Sequence, residues 1–590
     1  MLFGKHINKY YLKYFWYFFL GIIALIAVDY VQLLIPEQIA NIVDGFDNNE
    51  ITSLSSPIFV KAIIIIFFVA IVMFLGRFVW RRAILGEAVK IQADIRKEMF
   101  LKTEVLSQRY YKENKTGAIL AYFSNDLETI EEAFGFGIVQ FIDGTFLLML
   151  SLIRMFSVNV VLTFVCLIPL VLLLCCAFIV DKCMEKKYEK RQKAFEDMSD
   201  FSQENFTGIR VIKAFVKEVK EIRQFSKENK KNKDANIEFA RFGALLDVAI
   251  DLLIYSVIVI IFCVGGYYIY LDSIGQGIGF TKGDIVEIIG YFDNLIWPIF
   301  AIASIINLTA RGRTSLRRIS SILDEKVEIC DNGDIVIPSE IKGGITFNNF
   351  SFSYPDDPEN KVLKNITFKI NPGETVGIIG KIGCGKSTLV NMLFRLYNVE
   401  KGSLYIDNYD IMDLPIKLVR NCIGYAPQDN FLFSDTVRKN ISFANDEITD
   451  EEVKEAAEFS AVRDNIEEFK DGYQTMIGER GVTLSGGQKQ RISISRAVVK
   501  DPAILVLDDS VSAVDIKTEE TILHNIKKIR KGKTTILIAS RVSTVEKLDK
   551  VLVLKEGKVE YFGTNKECLE NSPTYKRMVE LQALENELEG

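Results

Sequence analysis

Long apolar runs in the first half of the chain constrain the fold more than any other feature. Residues 160–180 read VVLTFVCLIPLVLLLCCAFIV, without a charged residue. A helix needs roughly 20 apolar residues to cross the hydrocarbon core of a bilayer. The stretches near this length cover residues 14–35, 58–80, 135–157, 159–181, 247–271 and 284–307. The sequence therefore predicts an all-α domain of six membrane-spanning helices in a lipid bilayer.

Loop charge orients these predicted spans. Residues 36–60 contain no Lys or Arg, whereas residues 182–241 are rich in both. Because loops rich in Lys and Arg stay in the cytoplasm, the first loop is expected to face outward and both termini to be cytoplasmic. Residues 2–10 mix aromatics with lysines, and an interfacial helix is expected there rather than a secretory signal. The predicted location is the plasma membrane.

Charged side chains inside the spans are functional candidates, because charge is costly in lipid. They are Asp29, Arg154, Glu287 and Asp293. The alternative is that they pair between helices or face a watery cavity without touching cargo. The aromatic residues of the spans are Phe15, Trp16, Tyr291, Phe292 and Trp297. They can line an apolar cavity or form an interfacial belt, and the belt is favoured for Phe15 and Trp16.

A change in composition marks the domain boundaries. Residues 1–320 hold the apolar runs, residues 321–342 are polar with Gly and Pro, and residues 343–590 alternate β and α patterns. This alternation is typical of a mostly parallel sheet flanked by helices. The net charge of −6, without a basic block, excludes nucleic acid as a partner. The nine cysteines form no C-x-x-C pair, which indicates small buried hydrophobes in a reduced compartment.

A glycine-rich turn in the C-terminal half has the spacing of a phosphate-binding loop. The apolar run TVGIIG predicts a buried strand, and GKIGCGKST after it fits G-x-x-x-x-G-K-[ST]. Glycines let the backbone wrap around a polyphosphate, while amides and the helix N-terminus attract anions. Lys386 is expected to reach the terminal phosphates and Ser387 to ligate Mg²⁺. The candidate nucleotide-binding residues are Gly380, Lys381, Ile382, Gly383, Cys384, Gly385, Lys386, Ser387 and Thr388.

Residues 484–515 supply a second part of this site. LSGGQ is a turn of small residues whose amides and serine are suited to cradle phosphate, and its candidate residues are Ser485, Gly486, Gly487 and Gln488. The run AILVL has no polar alternation and predicts a strand buried on both faces. This strand ends in Asp508 and Asp509, where a divalent cation is expected.

These residues resemble a known family. GKIGCGKST, Gln428 in YAPQDN, LSGGQ, VLDD and SAVD follow the order and spacing of an ABC transporter nucleotide-binding domain. The residues before them resemble the membrane half of an ABC exporter, so the resemblance covers nearly the whole chain. It implies a multidomain membrane protein: an all-α six-helix transmembrane domain with long cytoplasmic helix extensions, followed by an α/β P-loop NTPase domain. The implied cofactors are ATP and Mg²⁺.

The resemblance also assigns roles to further residues. Tyr354 matches the aromatic that stacks on adenine, Gln428 the glutamine that helps to hold Mg²⁺, and Asp508 the cation-binding aspartate. Two long helical stretches, residues 81–134 and 182–246, match extensions with a transverse helix at each tip; a soluble coiled-coil insertion is the alternative. The tips at residues 110–116 and 205–213 are expected to press on the nucleotide-binding domains. The sequence GERG, residues 478–481, resembles a loop that touches these tips, and Asp515 resembles a loop residue at the dimer interface.

Two catalytic positions depart from the family pattern. The residue after the strand aspartate is usually glutamate, the general base, and here it is Asp509. Aspartate is shorter by one C–C bond, roughly 1.5 Å, and misplacement by about 1 Å can cost on the order of a hundredfold in rate. The usual switch histidine is replaced by Ser540. Neither His6 nor His524 is near in sequence, and His524 is expected to be a solvated helix residue.

The two departures favour one half of a heterodimeric exporter. The chain would give its P-loop and Asp509 to a degenerate ATP site, and its LSGGQ to the competent site of a second half-transporter. The implied cargo is amphiphilic, a drug, lipid or peptide moved outward. The alternatives are a homodimeric exporter with a slow aspartate base, a non-pumping ATP-gated regulator, and an exporter-fold siderophore importer. The predicted spans exclude a soluble ABC protein acting on DNA.

Overall fold

The structure is a computed structural model that describes residues 4–275, 279–331, 333, 335–478, 484–511 and 514–589, without the side chains of 173–183, 185, 303 and 585–589. The described chain divides into two compact units. The first consists of Met1–Thr103 and Gly117–Asp324, and the second of Glu104–Thr116 and Glu325–Gly590. The short segment Glu104–Thr116 therefore packs with the C-terminal part of the chain, although the first unit flanks it in the sequence.

Helices make up the regular structure of the described residues up to Asp324. They are α1 Asn8–Lys13, α2 Phe15–Gln32, α3 Leu34–Asp47, α4 Pro57–Trp80, α5 Gly86–Thr103, α6 Gln108–Glu113, α7 Thr116–Ala121, α8 Leu127–Phe134, α9 Phe136–Ile142, α10 Leu148–Val158, α11 Val160–Thr207, α12 Ile209–Ala214, α13 Glu218–Ser273 and α14 Lys282–Asp324. Short π-helical turns, Arg81–Leu85, Tyr122–Asp126 and Asp143–Leu147, join neighbouring helices into longer rods.

Five of these rods are long and apolar enough to cross a membrane, within the part of the chain that the structure describes. They are Phe15–Asp47, Pro57–Thr103, Thr116–Val158, Glu218–Ser273 and Lys282–Asp324. The remaining expected span, residues 159–181, falls on α11, which is apolar over Val160–Leu172 and continues into residues whose side chains the structure does not describe. An N-terminal membrane domain of helices is thus confirmed, while the count of six spans stays a prediction.

The longest helices exceed the thickness of a bilayer. Helix α13 has 56 residues, which at 1.5 Å per residue gives about 84 Å, against about 30 Å of hydrocarbon. Helix α11 begins at the N-cap Asn159, whose side chain accepts a hydrogen bond from the Leu162 amide, and it runs for 48 residues. Both helices must therefore continue well beyond the membrane.

The second unit is an α/β domain with two sheets. The strands are β1 Ile345–Ser353, β2 Lys361–Ile370, β3 Thr375–Gly380, β4 Leu404–Ile406, β5 Tyr409–Asp410, β6 Ile423–Ala426, β7 Ile504–Asp508, β8 Thr534–Ile538, β9 Lys550–Lys555 and β10 Lys558–Gly563. An antiparallel sheet has the order β2-β1-β4-β5, and a six-stranded sheet has the order β10-β9-β3-β8-β7-β6. In the larger sheet, only β10 runs antiparallel to its neighbour.

Helices alternate with these strands along the second unit. They are α15 Lys386–Leu393, α16 Ile416–Cys422, α17 Val437–Ile441, α18 Asp450–Phe459, α19 Arg463–Glu467, α20 Gly486–Val498, α21 Ile516–Ile529, α22 Val542–Val545, α23 Asn565–Asn571 and α24 Pro573–Glu589, with 3₁₀ turns at Ser442–Ala444 and Gly472–Gln474. Every residue of β3, β7 and β8 is buried, as the unbroken apolar runs predict for a parallel sheet covered on both faces. The α/β domain expected in the C-terminal part is confirmed.

Strand order positions the site. Because β3, β8 and β7 are adjacent and parallel, the loops that follow them meet at one edge of the sheet. The glycine-rich turn follows β3, Asp508 ends β7, and Ser540 follows β8. Residues that are far apart in the sequence are thus brought together.

Candidate functional site

The glycine-rich turn after β3 adopts a conformation that requires glycine. Gly383 and Gly385 have φ angles of 81° and 100°, in the left-handed region. A Cβ on Gly380 would lie 2.3 Å from the Leu554 carbonyl oxygen, so a side chain is excluded there as well. The turn leads into the N-terminus of α15, whose first amides point at the loop and favour an anion.

The side chains of this turn are differently placed. Lys386 Nζ donates hydrogen bonds to the carbonyl oxygens of Gly380 at 2.8 Å and Lys381 at 3.3 Å, so the ammonium lies across the mouth of the loop. Cys384 is buried, and burial raises the pKa of its thiol. Ile382 is fully exposed at the crest of the turn. Thr388, on α15, is buried, and its Oγ1 is hydrogen-bonded to the Tyr354 hydroxyl.

Ser387 and Asp508 form the oxygen-rich part of the site. The Ser387 hydroxyl interacts with the Asp508 carboxylate, which is 2% exposed at the end of β7. Burial raises the pKa of Asp508, and the neighbouring charge of Asp509 raises it further, while Ser387 opposes the shift. A hydroxyl next to a carboxylate is a donor set that suits Mg²⁺, so these residues fit the expected ion.

Asp509 stands at the centre of a small polar network. Its φ angle is 48°, which places a residue other than glycine in the left-handed region. Ser540 Oγ donates to Asp509 Oδ1 at 3.4 Å, and Gln428 Nε2 donates to Oδ2 at 3.5 Å. Gln490 Nε2 donates to the Asp509 carbonyl oxygen at 3.4 Å. The structure thus brings Gln428, Asp509 and Ser540 together, and it adds Gln490, which the sequence analysis missed.

Tyr354 lies at the end of the smaller sheet. Its hydroxyl is hydrogen-bonded to Thr388 Oγ1 at 2.8 Å, which links it to the helix after the glycine-rich turn. One contact was not expected: Lys112 of α6 lies over the Tyr354 ring, with Nζ 4.5 Å from the ring centroid. Lys112 also forms an ion pair with Asp356 at 2.7 Å. The sequence predicts that residues 110–116 press on this domain, but it does not show which side chain does so.

The LSGGQ turn begins a helix. Ser485 is the N-cap of α20: its Oγ accepts from the Gln488 amide at 3.2 Å, and Gln488 Oε1 accepts from the Ser485 amide at 3.0 Å. This reciprocal pair is a capping box, which S-x-x-Q before a helix signals in a sequence. Gly486 has open space on the side where a side chain would lie. Gly487 follows it in the first turn of the helix, where the amides are available to an anion.

The flanking loops are described in part. Residues 479–481 of the GERG sequence and residues 512–513 of SAVD lie outside the described residues. Asp515 is the N-cap of α21, accepting from the Thr518 amide at 3.0 Å, and hydrogen bonds from Thr518 hold its pKa below the ordinary value. His524 is exposed on the same helix, and His6 contacts Asp324 at 3.0 Å in the first unit.

The charged residues of the membrane helices differ in their partners. Arg154 contacts Glu37 at 3.4 Å, and Tyr291 donates to Glu287 at 2.6 Å, so these groups are satisfied between or within helices. Asp29 is buried, at 4% exposure. Asp293 lines a cleft of about 750 Å³ in the first unit.

Of the span aromatics, Tyr291 and Phe292 are buried in the core of the first unit, and Phe292 also borders this cleft. Phe15 and Trp16 are exposed at the start of α2, and their place in an interfacial belt stays a prediction. Trp297 is partly exposed, and its Nε1 donates to Asp143 Oδ2 at 2.8 Å.

Comparison with known proteins agrees with this arrangement. Residues 18–281 match the family described as "ABC transporter transmembrane region", and residues 363–512 match the family described as "ABC transporter". The Bacillus subtilis protein named "Probable multidrug resistance ABC transporter ATP-binding/permease protein YheI" is 32% identical over 100% of this chain and 98% of its own length. The Escherichia coli multidrug resistance-like ATP-binding protein MdlA is 30% identical over 97% of each chain.

A solved structure shows the same fold. The structure of a bacterial Atm1-family ABC exporter with ATP bound superposes with a TM-score of 0.74, at 24% identity, over 98% of each chain. The matched families and the full-length relatives cover both units. This chain belongs to the ABC transporter family, and it carries the transmembrane region and the ATP-hydrolysing domain of an ABC exporter in one polypeptide.

Proposed function

We propose that this chain is one half of a heterodimeric ABC exporter. Its own P-loop forms an ATP site with impaired hydrolysis, and its LSGGQ turn completes a competent site on the partner. The observation that carries the proposal is the contact between Asp509 and Ser540 at 3.4 Å. The general base and the switch residue meet as a working pair would, but with side chains that suit neither role.

Nucleotide binding by this chain's own site is well supported. Tyr354 offers a flat ring for adenine, and the turn from Gly380 to Thr388 offers backbone amides and Lys386 for the phosphates. Lys386 would exchange its hydrogen bonds to the loop carbonyls for phosphate oxygens. Ser387, Asp508 and Gln428 would hold Mg²⁺, which when bound neutralises phosphate charge.

Hydrolysis at this site is expected to be slow for a geometric reason. A glutamate in place of Asp509 would reach about 1.5 Å further towards an attacking water. The Asp509 carboxylate instead contacts Ser540 and Gln428. Ser540 has a hydroxyl where an imidazole would contact the terminal phosphate, and it cannot act as a charged partner at neutral pH. ATP would therefore remain bound without being cleaved quickly.

The signature turn has no such defect. Ser485 and Gln488 hold each other in the capping box that starts α20, and Gly486 leaves the approach open. The turn is thus preorganised to receive the phosphate of a nucleotide bound by another subunit. An altered catalytic base and an intact signature turn in one chain fit a complex of two unlike halves, in which only one ATP site hydrolyses quickly.

Exposed apolar surfaces support association with a second subunit. The tip between α11 and α13 exposes large apolar side chains, and the second unit exposes an aromatic patch. Surfaces of this kind mark interaction sites. The tip residues are Phe206, Val211, Phe215 and Val216, and the patch residues are Phe431, Phe433, Phe443 and Met476. In a dimer, the tip of one subunit would cover the patch of the other.

The cargo is proposed to be an amphiphilic compound, such as a drug, a lipid or a peptide, carried outward across the plasma membrane. The cleft in the first unit combines apolar walls, such as Ile39 and Ile258, with polar groups. Its polar lining includes Gln32, Arg77, Asp251, Asp293 and Asn294. The Lys- and Arg-rich loops support a cytoplasmic location for the ATP-binding unit and both termini.

The experiment compares ATP hydrolysis by the purified chain alone with hydrolysis after co-purification with a candidate second half-transporter that carries the glutamate and the histidine. Slow turnover alone and a large gain with the partner are expected. Equal turnover per site in both preparations would refute the heterodimer. ATP-driven uptake of an amphiphilic dye into inverted vesicles tests outward transport separately, and an importer or a gate would give none.

A further inference from the structure

Lys112 and Tyr354 come from distant parts of the sequence and meet within the second unit. Lys112 lies on the six-residue helix α6, and Tyr354 follows β1. The Lys112 ammonium lies 4.5 Å from the centroid of the Tyr354 ring, and the Asp356 carboxylate anchors it at 2.7 Å. The hydrogen bond from Lys112 holds the pKa of Asp356 below its ordinary value, so the pair is charged at neutral pH.

Aromatic rings pack against the Tyr354 ring. The Phe352 and Tyr397 rings pack against Tyr354 at 5.2 and 5.5 Å, with planes nearly perpendicular to it, on the side of the domain core. The Lys112 ammonium lies over a face of the ring, and the lysine side chain is 52% exposed. A stacked base needs that same flat surface, and an ammonium at this distance leaves no room for it.

We propose that Lys112 is a displaceable cover on the adenine-stacking face of Tyr354, so that a bound base must move Lys112 aside. This inference rests on the proposed function, in which Tyr354 stacks on adenine. Asp356 keeps the displaced ammonium nearby after its contact with the ring is lost. Helix α6 lies between α5 and α7 in the chain. Displacement of Lys112 by a bound base therefore changes a contact of a segment that is joined directly to the membrane helices. Lys112 therefore acts through Tyr354, as a positioning residue, and it lowers the affinity of the ATP site for the base.

The test measures the dissociation constants of Mg·ATP and of inorganic tripolyphosphate, by calorimetry on the full chain in nanodiscs. Lys112→Met keeps the apolar stem and removes the ammonium. Loss of an exposed cation–π contact is expected to tighten ATP binding about two- to fivefold. Tripolyphosphate binding is expected to stay unchanged, because that ligand has no base. Asp356→Asn, which releases the lysine from its anchor, is expected to change ATP binding in the same direction.

Two controls separate the possible failures. Lys115→Met removes the same charge from the same segment and is expected to change neither constant. Tyr354→Ala is expected to weaken ATP binding about fivefold or more and to spare tripolyphosphate; if it does not, the adenine site itself is misassigned. If Tyr354→Ala behaves as expected, but Lys112→Met binds ATP with unchanged or weaker affinity, the proposal that Lys112 covers the ring is overturned. Equal tightening for both ligands, or in the Lys115 variant as well, also overturns it.

Discussion

Ser540 Oγ donates a hydrogen bond to Asp509 Oδ1 over 3.4 Å, at the edge where β7 and β8 end side by side. The two residues are 31 positions apart in the chain, and parallel pairing of the strands brings them together. Each stands where the family pattern has a different catalytic side chain. Their contact shows that the two substitutions occupy one place in the site, so their effects on hydrolysis are expected to be coupled rather than additive.

The two ATP sites of the proposed complex should respond differently to substitutions in this chain. In the purified heterodimer, Ser485→Ala is expected to lower ATP turnover more than Asp509→Asn, because Ser485 serves the competent site and Asp509 the degenerate one. Steady-state ATPase rates of the two complexes provide the measurement. The opposite ranking would overturn the assignment of sites.

A control is needed because Ser485 is also an N-cap. Loss of such a cap costs about 1 kcal/mol of stability, which could lower turnover indirectly. Thr449→Ala removes an equivalent capping box from α18, and Thr564→Ala removes one from α23. Both variants are expected to keep the turnover of the unmodified complex.

Substitution of Asp508 is expected to separate stability from metal binding. Burial raises the pKa of Asp508, so the folded state binds the proton more tightly than the unfolded state. The free energy of unfolding therefore falls as the pH rises from the ordinary pKa through the folded one, and the loss persists at neutral pH. Asp508→Asn removes that cost and should raise the Tm of the nucleotide-free protein at pH 7, by about 2 to 4 °C per kcal/mol.

In the unmodified protein, Mg·ATP is expected to raise the Tm more than ATP with a chelator does. Asp508→Asn should lose this difference, because the carboxylate proposed to hold Mg²⁺ is gone. Thermal denaturation between pH 4 and pH 8 supplies the measurement. Asp515→Asn is a control for which the opposite change in Tm is expected. Hydrogen bonds from Thr518 lower the pKa of Asp515, so loss of this carboxylate should lower the Tm at neutral pH. A destabilised Asp508→Asn protein would contradict this account.

Local sequence signals predicted the ATP-binding unit well. β3 and β7 are unbroken apolar runs and are buried throughout, and the glycine spacing of the turn between β3 and α15 has a direct conformational reason. Contacts across the chain could not be predicted. Lys112 and Asp356 lie 244 positions apart, and their pairing depends on the position of a helix with no apolar periodicity to locate it.

Helix boundaries in the membrane unit were also hard to predict. The first apolar run ends near residue 35, yet the rod continues to Asp47. Pro36 lies in the first turn of α3, where its missing N–H has no helical partner to lose. Polar residues further along α3, such as Glu37 and Asp44, end the apolar signal but not the helix. Hydropathy therefore marks the part of a helix inside lipid, and not its length.

Arg395 is expected to be important for the stability of the second unit. Its side chain is 1% exposed, and it donates to the carbonyl oxygens of Leu414 at 2.8 Å and Cys330 at 3.3 Å. Arg395→Met would leave these buried acceptors without their donor. Because a buried acceptor left without its donor costs about 1–3 kcal/mol, urea denaturation should show a clearly lower midpoint.

An exposed arginine provides the comparison for Arg395. Arg463 pairs with Glu467 one helical turn away on the surface. Exposed pairs of this type contribute little to stability, so Arg463→Met should barely move the midpoint. Similar shifts for the two variants would show that burial of Arg395 is not what stabilises the unit.

The cleft in the membrane unit is expected to favour positively charged amphiphiles. Asp251 and Asp293 line it together with a single guanidinium, Arg77, among the described residues. Arg77 also donates to Gln32 at 3.4 Å. Asp293→Asn should raise the KM for a cationic dye about fivefold, as for loss of a partly exposed ion pair, and leave basal ATP hydrolysis unchanged.

Vesicle transport assays with a cationic and a neutral dye provide the measurement for this cleft. Asp47→Asn removes a carboxylate that pairs with Lys282 outside the cleft, and it is the matched control. Transport of both dyes should be unaffected in that variant. Equal loss for the cationic and the neutral dye in Asp293→Asn would argue against a role in charge selection.

The most direct test restores the two missing catalytic groups. The double variant Asp509→Glu with Ser540→His is purified without a partner, and its ATP turnover is compared with that of the unmodified chain and of each single variant. The account predicts slow turnover for the unmodified chain and a gain on the order of a hundredfold only when both groups are present. Rapid turnover by the unmodified chain alone, or no gain in the double variant, would contradict the account.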